Sequence, residues 1–318
     1  MIIYLGCSVL LSCNAKTQST QVKPKATGEP ISIASKVNPL KVDSAQVMKD
    51  LKYLSSDELA GRKSGTFGNE LAQKFIAKRF EALGLEQLGK DYFQLFSFEL
   101  GGKTVNCKNI VGKIKGHQHP EKYMVLTAHF DHLGIRDEKI YNGADDNASG
   151  VAALLAAAAY FKKNRSKHSL IFVAFDAEEL GLRGAKYFVD HPPVALDSIA
   201  LNLNMDMISR NEKDEIYLCG TYHYPFLKKK LLNINDGSAL NVEFGHDTPN
   251  FGFGNWTSSS DHAPFHKKKI PFIYVGVEDH EDYHKPTDTY ERVDHSFFYH
   301  AVNLVIDIVL TLEREGNE

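Results

Sequence analysis

The chain has 318 residues and little of what would mark a specialised class. It has four cysteines, Cys7, Cys13, Cys107 and Cys219, and no CxxC pair or Cys/His cluster of zinc-finger spacing. A thiol redox motif and a thiolate metal site are therefore not expected. Cys7 and Cys13 lie in an apolar leader. Cys107 and Cys219 lie far apart in the body, where a disulfide and two buried free thiols are both open readings. Excess charge is lacking too: 37 basic residues face 40 acidic ones, a net −3. That gives no global case for a nucleic-acid partner. The runs Lys228–Lys230 and Lys267–Lys269 are short and isolated, and read as solvated faces. No run of ~18 apolar residues follows the leader, so the body offers no membrane span. The body has no internal repeat and no low-complexity block. With 43% hydrophobic residues it can bury a sizeable core.

The first segment, residues 1–13, is too short to span a membrane and too apolar for a surface tail. It reads as the core of an export signal. Leu10-Leu11-Ser12-Cys13 resembles the bacterial lipobox, in which the cysteine becomes the acylated first residue. No Lys or Arg precedes the apolar run, and an ordinary signal peptide with an incidental cysteine is the alternative. Asn14 in place of Asp resembles lipoproteins sorted to the outer membrane. The expected location is thus the periplasm or the outer membrane, with membrane contact only through a lipid anchor. Residues 14–40 are rich in Lys, Thr, Ser, Gln and Pro and read as a tether. Residues 41–318 are expected to form one catalytic domain.

In that body, apolar spacing predicts helices over Ser44–Leu54, Asn69–Leu83, Gly150–Lys163, Leu182–Val189, Pro225–Asn235 and His295–Glu315. β-branched and aromatic content predicts strands over Phe93–Leu100, Thr104–Lys115, Lys122–Ala128, Ser169–Phe175, Ile199–Met205, Glu215–Cys219 and Lys269–Gly276. Between the first two helices, S-S-D-E-L-A-G-R-K-S-G-T-F-G is a turn-rich loop. Alternating strands and helices imply an α/β fold, a mostly parallel sheet with helices on both faces.

The polar residues fall where such a sheet binds ligands, at the carboxyl ends of strands. Lys122–Ala128 runs into His129-Phe130-Asp131-His132. Ser169–Phe175 runs into Asp176-Ala177-Glu178-Glu179, Ile199–Met205 into Asp206, and Lys269–Gly276 on towards His284. Gly143-Ala144-Asp145-Asp146-Asn147-Ala148-Ser149-Gly150 leads into a helix. Taken singly, Asp146 reads as a helix cap, the glutamates as acids near a helix start, and His129 as a core histidine. Taken together, five or more ionisable groups on one sheet edge are costly without a cation to compensate them. Imidazole plus carboxylate, with no thiolate, suits zinc or a similar first-row ion. Two histidines and three carboxylates exceed one tetrahedral site and fit two ions sharing a bridging carboxylate, which is hydrolase chemistry.

The segments H-F-D-H, N-G-A-D-D-N-A-S-G, F-D-A-E-E-L-G-L-R-G-A, N-M-D-M-I and Y-H-K-P-T-D-T resemble, in order, the di-zinc aminopeptidases of metallopeptidase family twenty-eight. S-S-D-E-L-A-G-R-K-S-G-T also resembles that family, so the likeness runs from about Ser44 to the C-terminus. It implies a three-layer α/β sandwich of the zinc-exopeptidase type and two zinc ions, with cobalt or manganese as substitutes. By this resemblance His129 and His284 bind one ion each and Asp146 bridges both, Asn147 following a cis peptide bond. Glu179 and Asp206 are the remaining metal ligands. Glu178 is the general base, Asp131 orients His129 through its second ring nitrogen, and Tyr283 donates to the oxyanion or packs as an aromatic lid. His132, Asp261 and His262 are not expected to be ligands, since five positions fill both ions. Glu243–Ser260, with Phe251, Phe253 and Trp256, lines a hydrophobic pocket or packs its own aromatics at the surface.

The activity so implied is release of N-terminal residues from peptides with a free N-terminus. Glutaminyl cyclase with a single zinc, a carboxypeptidase or dipeptidase on the same scaffold, and a non-catalytic binding module are the alternatives. Oligomeric state is not legible.

Overall fold

Asp43 caps the first helix, α1 (Ser44–Leu54), its carboxylate accepting from the Gln46 amide at 3.1 Å. Thr66 caps α2 (Phe67–Leu83), which stops at Gly84 in the left-handed region, φ 68°. The computed structural model describes residues 41–314; the export-signal and tether expectations for residues 1–40 lie outside the described residues.

An antiparallel pair follows, β1 (Phe93–Leu100) and β2 (Lys103–Ile114), and then β3 (His119–His129). A small separate hairpin, β4 (Gly134–Arg136) and β5 (Lys139–Tyr141), precedes α3 (Gly150–Lys163). After β6 (His168–Phe175) come α4 (Arg183–Asp190), β7 (Ile199–Met205), β8 (Glu215–Cys219) and α5 (Pro225–Leu231). The chain closes with β9 (Asn241–Phe244), α6 (His262–Lys267), β10 (Phe272–Gly276) and α7 (His295–Leu312).

The main sheet has eight strands in the order β1-β2-β6-β3-β7-β10-β8-β9. Its centre, β6-β3-β7-β10, is parallel, and antiparallel pairs flank it. Alternate residues of the central strands face opposite layers, as the two-residue period of a strand requires. Leu126, Phe172 and Leu203 pack in one core with apolar residues of α1, α2, α3, α5 and α7. Val125, Ile171, Val173 and Phe175 pack in the other with Phe188 of α4 and Phe265 of α6. The result is a three-layer α/β sandwich with a mixed sheet. Burial on both faces is why Ser169–Phe175 reads as one unbroken apolar run.

By length and composition α7 is long and apolar enough to cross a membrane, although its sequence is not one unbroken apolar run. Its apolar residues are packed into the first core layer. Cys107 and Cys219 are buried free thiols. They lie on β2 and β8, five strands apart, about 24 Å at the usual ~4.8 Å strand spacing, so no bridge can form between them.

β10 starts at Phe272 and not at Lys269. Lys269 has φ 64° and Pro271 has no amide to donate to a ladder. β9 and α6, unforeseen above, have 4 and 6 residues and are too short to show a period.

Candidate metal centre

The four central strands all point their carboxyl ends at one edge, and the ionisable side chains gather there. His129 is the last residue of β3, and Asp206 follows the last residue of β7. His129 Nδ1 donates to the Asp131 carbonyl at 3.2 Å, which turns Nε2 towards the centre. Nε2 lies 3.3 Å from Asp206 Oδ1 and 3.4 Å from Asp146 Oδ1. On the other side, His284 Nε2 lies 3.2 Å from Asp146 Oδ2 and 3.4 Å from Glu179 Oε2. Asp146 therefore offers a different oxygen to each histidine.

Asp146 is held by the backbone around it. The turn Ala144–Ser149 leads into α3 and contains a cis peptide bond between Asp146 and Asn147. The Asn147 amide side chain donates to the Met205 carbonyl and its oxygen accepts from the Gly150 amide. A Cβ on Gly150 would stand 2.4 Å from that oxygen, so only glycine fits. The amides of Asp145 and Asp146 both donate to the Asp288 carboxylate. The Asp145 side chain turns away from the centre. It accepts from the Ser209 amide and hydroxyl, each at 2.7 Å, and from His280 at 2.9 Å. Of the two adjacent aspartates, only Asp146 faces His129 and His284.

Asp131 meets the second ring nitrogen of His129, as the resemblance implied, through its carbonyl and not its carboxylate. Its carboxylate is 3.8 Å from His129 Nδ1, too far for a hydrogen bond. It accepts instead from the Glu178 amide at 3.0 Å and the Glu179 amide at 3.3 Å. Asp131 thus orients His129 through its carbonyl and the Glu178-Glu179 turn through its carboxylate. Ser260 Oγ donates to Asp206 Oδ2 at 2.6 Å and accepts from Asn204, which accepts in turn from Thr127. A buried polar chain along β3 and β7 therefore fixes Asp206.

Electrostatics follow from this crowding. Burial disfavours a charged His129 ring, but the carboxylates of Asp206 and Glu178 outweigh it and hold its pKa well above the ordinary value. Burial raises the Glu178 carboxyl well above the carboxylate range. Burial also opposes ionisation of Glu179, yet His132 and His284 against it hold its carboxyl below that range. Asp261 is fully buried, both its oxygens lack partners, and burial pushes its carboxyl up to about 7. So dense a set of like charges calls for a compensating cation.

The residues fit zinc. A tetrahedral ion with ligands at about 2.0–2.1 Å places its ligand atoms about 3.3–3.4 Å apart. The histidine-to-carboxylate separations around His129 and His284 are 3.2 to 3.4 Å.

A model of Peptidase family M28 matches residues 109–309. The chain belongs to this family. It is 32% identical over 268 residues to the aminopeptidase YwaD of Bacillus subtilis (strain 168), which covers 80% of this chain and 54% of that protein. The chain spans about half the length of the curated relatives it matches. Among solved structures, the zinc aminopeptidase BSAP from Bacillus subtilis aligns with a TM-score of 0.66 at 18% identity, covering 88% of this chain and 98% of that one. A Porphyromonas gingivalis glutaminyl cyclase aligns equally well, TM-score 0.66 at 18% identity, covering 85% and 98%. At this identity the structures establish the shared fold alone.

In this M28 chain the centre opens into a cleft of about 210 Å³. Glu178, Tyr283, Trp256, Met207 and Val277 line it beside the ligand-type residues. Tyr283 stacks on His284, ring centroids 4.0 Å apart. Burial and then the carboxylates of Asp146 and Asp206 push its phenol up, so it keeps its proton as a donor. Trp256 both walls the cleft and stacks on His246 at 3.7 Å, which joins the two readings of its loop. The side chains of Phe251 and Phe253 lie outside the described residues.

The sequence reading excluded His132, which the structure brings into the centre. Its Nδ1 lies 2.8 Å from Glu179 Oε1 and 3.7 Å from Asp146 Oδ2. His132, Asp146 and Glu179 make a second metal-type trio beside His129, Asp146 and Asp206. Its signal was present in H-F-D-H, three residues after His129, but five positions already sufficed for two ions.

Proposed function

We propose that this M28 chain is a two-zinc aminopeptidase acting on peptides with a free N-terminus. The observation that carries the proposal is Asp146, which offers one oxygen to each of two His–carboxylate sets at tetrahedral spacing. His129 and Asp206 would complete one site, Glu179 and His284 the other. Two zinc ions bound there supply Lewis acidity that polarises the scissile carbonyl and acidifies water.

The remaining steps belong to the chain. Glu178 stands on the cleft wall beside Glu179, its backbone fixed by Asp131. It takes a proton from the attacking water and delivers it to the leaving amine. Tyr283, protonated and facing the cleft, donates to the oxyanion. Asp131 and Ser260 hold the two strand ends so that these groups meet. Trp256, Met207 and Val277 form the apolar part of the wall that receives a substrate side chain.

The expected assay result is release of p-nitroaniline from unblocked aminoacyl p-nitroanilides and none from N-acetylated ones. Release from blocked substrates would favour another peptidase on this scaffold. Cyclisation of N-terminal glutamine without hydrolysis would favour the glutaminyl cyclase reading. We also propose that the protein is exported and anchored through Cys13, supported by Leu10-Leu11-Ser12-Cys13. Labelling with a radioactive fatty acid should be lost in Cys13→Ala; equal labelling would contradict it.

A further inference from the structure

The residues before the M28 match contain a buried cation that the mechanism does not use. Arg62 ends a short helical turn, Asp57–Arg62, and has no exposed surface. A buried guanidinium ordinarily sits on a carboxylate. This one donates to main-chain carbonyls: Nε to Phe130 at 2.7 Å, Nη1 to Leu54 and Asn142, each at 2.5 Å, and Nη2 to Gly143 at 3.0 Å. Phe130 lies between His129 and Asp131. Asn142 and Gly143 lead directly into the turn that carries Asp146. One planar group therefore joins the two segments that deliver His129 and the shared Asp146.

The loop is built to place it. Ala60, Gly61 and Arg62 all have positive φ, at 47°, 69° and 48°. A Cβ on Gly61 would stand 2.4 Å from the Tyr141 carbonyl, so the backbone is pressed against the β4-β5 hairpin. Asn69 donates to the Arg62 carbonyl at 3.0 Å and fixes the end of the turn. Burial lowers the Arg62 pKa to about 10, opposed by the carboxylates of Asp146, Asp288, Asp131 and Glu179, so the group stays charged at neutral pH.

We propose that Arg62 is a positioning residue for the metal centre, fixing the separation of the His129 and Asp146 segments and so setting zinc affinity. This rests on the zinc reading above. The rigid fork matters as well as the charge: lysine is a point charge on a flexible stem and cannot reach three segments at once.

The test uses the full chain, stripped of metal, with Arg62→Lys and Arg62→Met. Zinc affinity is read by competition with a chromophoric chelator, and melting of the metal-free proteins is read alongside. The expected result is zinc binding about 10–100-fold weaker in Arg62→Lys, as for other residues that orient ligands. Its metal-free form should still fold cooperatively, melting below the wild type because buried carbonyls lose a donor, and Arg62→Met should bind zinc more weakly still. Wild-type or tighter affinity in Arg62→Lys would overturn the proposal. So would failure of Arg62→Lys to fold, since Arg62 would then serve the fold as a whole. If Arg62→Met does not fold, Arg62→Lys decides alone. Failure of the wild type itself to bind zinc would sink the zinc reading, a separate outcome.

Discussion

The two halves of the centre are built differently. His129 and Asp206 sit at the ends of adjacent parallel strands, with the His129 side chain 2% exposed. Each is held from behind, by the Asp131 carbonyl and by Ser260. His284 sits in a loop at φ 53°, its side chain 39% exposed. Tyr283 stacks on it, and Glu179 faces it from a turn. The strand half is a fixed, buried seat. The loop half opens to the cleft and can admit substrate beside it. With two zinc ions bound as proposed, such a boundary would give rigidity to one and access to the other.

The largest expected effect comes from the residue both halves share. Asp146→Ala should bring zinc per chain close to zero and peptide hydrolysis below detection. Retention of one tightly bound ion would show that the halves are independent. Next, Glu178→Gln should keep the metal content of the wild type and lose about 10²–10⁴ in turnover, the usual span for a general base. Wild-type turnover would remove Glu178 from that role. The asymmetry itself is read by His129→Ala against His284→Ala in the metal-free protein, by urea unfolding. His129→Ala should cost about 1–3 kcal/mol, because it leaves buried polar partners unpaired. His284→Ala should cost less than ~1 kcal/mol, as a half-exposed loop residue. Equal costs would erase the contrast. Smallest for the centre is Asp145→Asn, which should leave zinc content unchanged. It should cost about 1–2 kcal/mol through the weakened Ser209 and His280 bonds. Loss of zinc there would contradict the choice between the adjacent aspartates.

Much of the strand half was legible in the sequence. Apolar runs ending in His129, Glu178 and Asp206 mark strand ends, and β7 and β8 have the expected limits. Glu179 and His284 were legible as polar residues beyond strand ends, but their pairing with each other was not, because loops carry no period. The choice between Asp145 and Asp146 was not legible from spacing, since neighbours differ only in direction. It is decided by Ser209 and His280, which lie 64 and 135 positions from Asp145. Asp131 meets the second ring nitrogen of His129 as expected, but through its carbonyl, because its carboxylate lies within reach of two amides. His132 and Arg62 were missed for a shared reason. Each acts through contacts that close only when β3, the Asp146 turn and the first loop are packed together, and one residue's sequence neighbourhood does not show that.

In the proposed centre one carboxylate, Asp146, serves two ions. Elemental analysis of the purified full chain tests it most directly, with zinc counted per chain before and after Asp146→Ala. The account predicts two ions in the wild type and loss of both in the variant. A single ion in the wild type would contradict it.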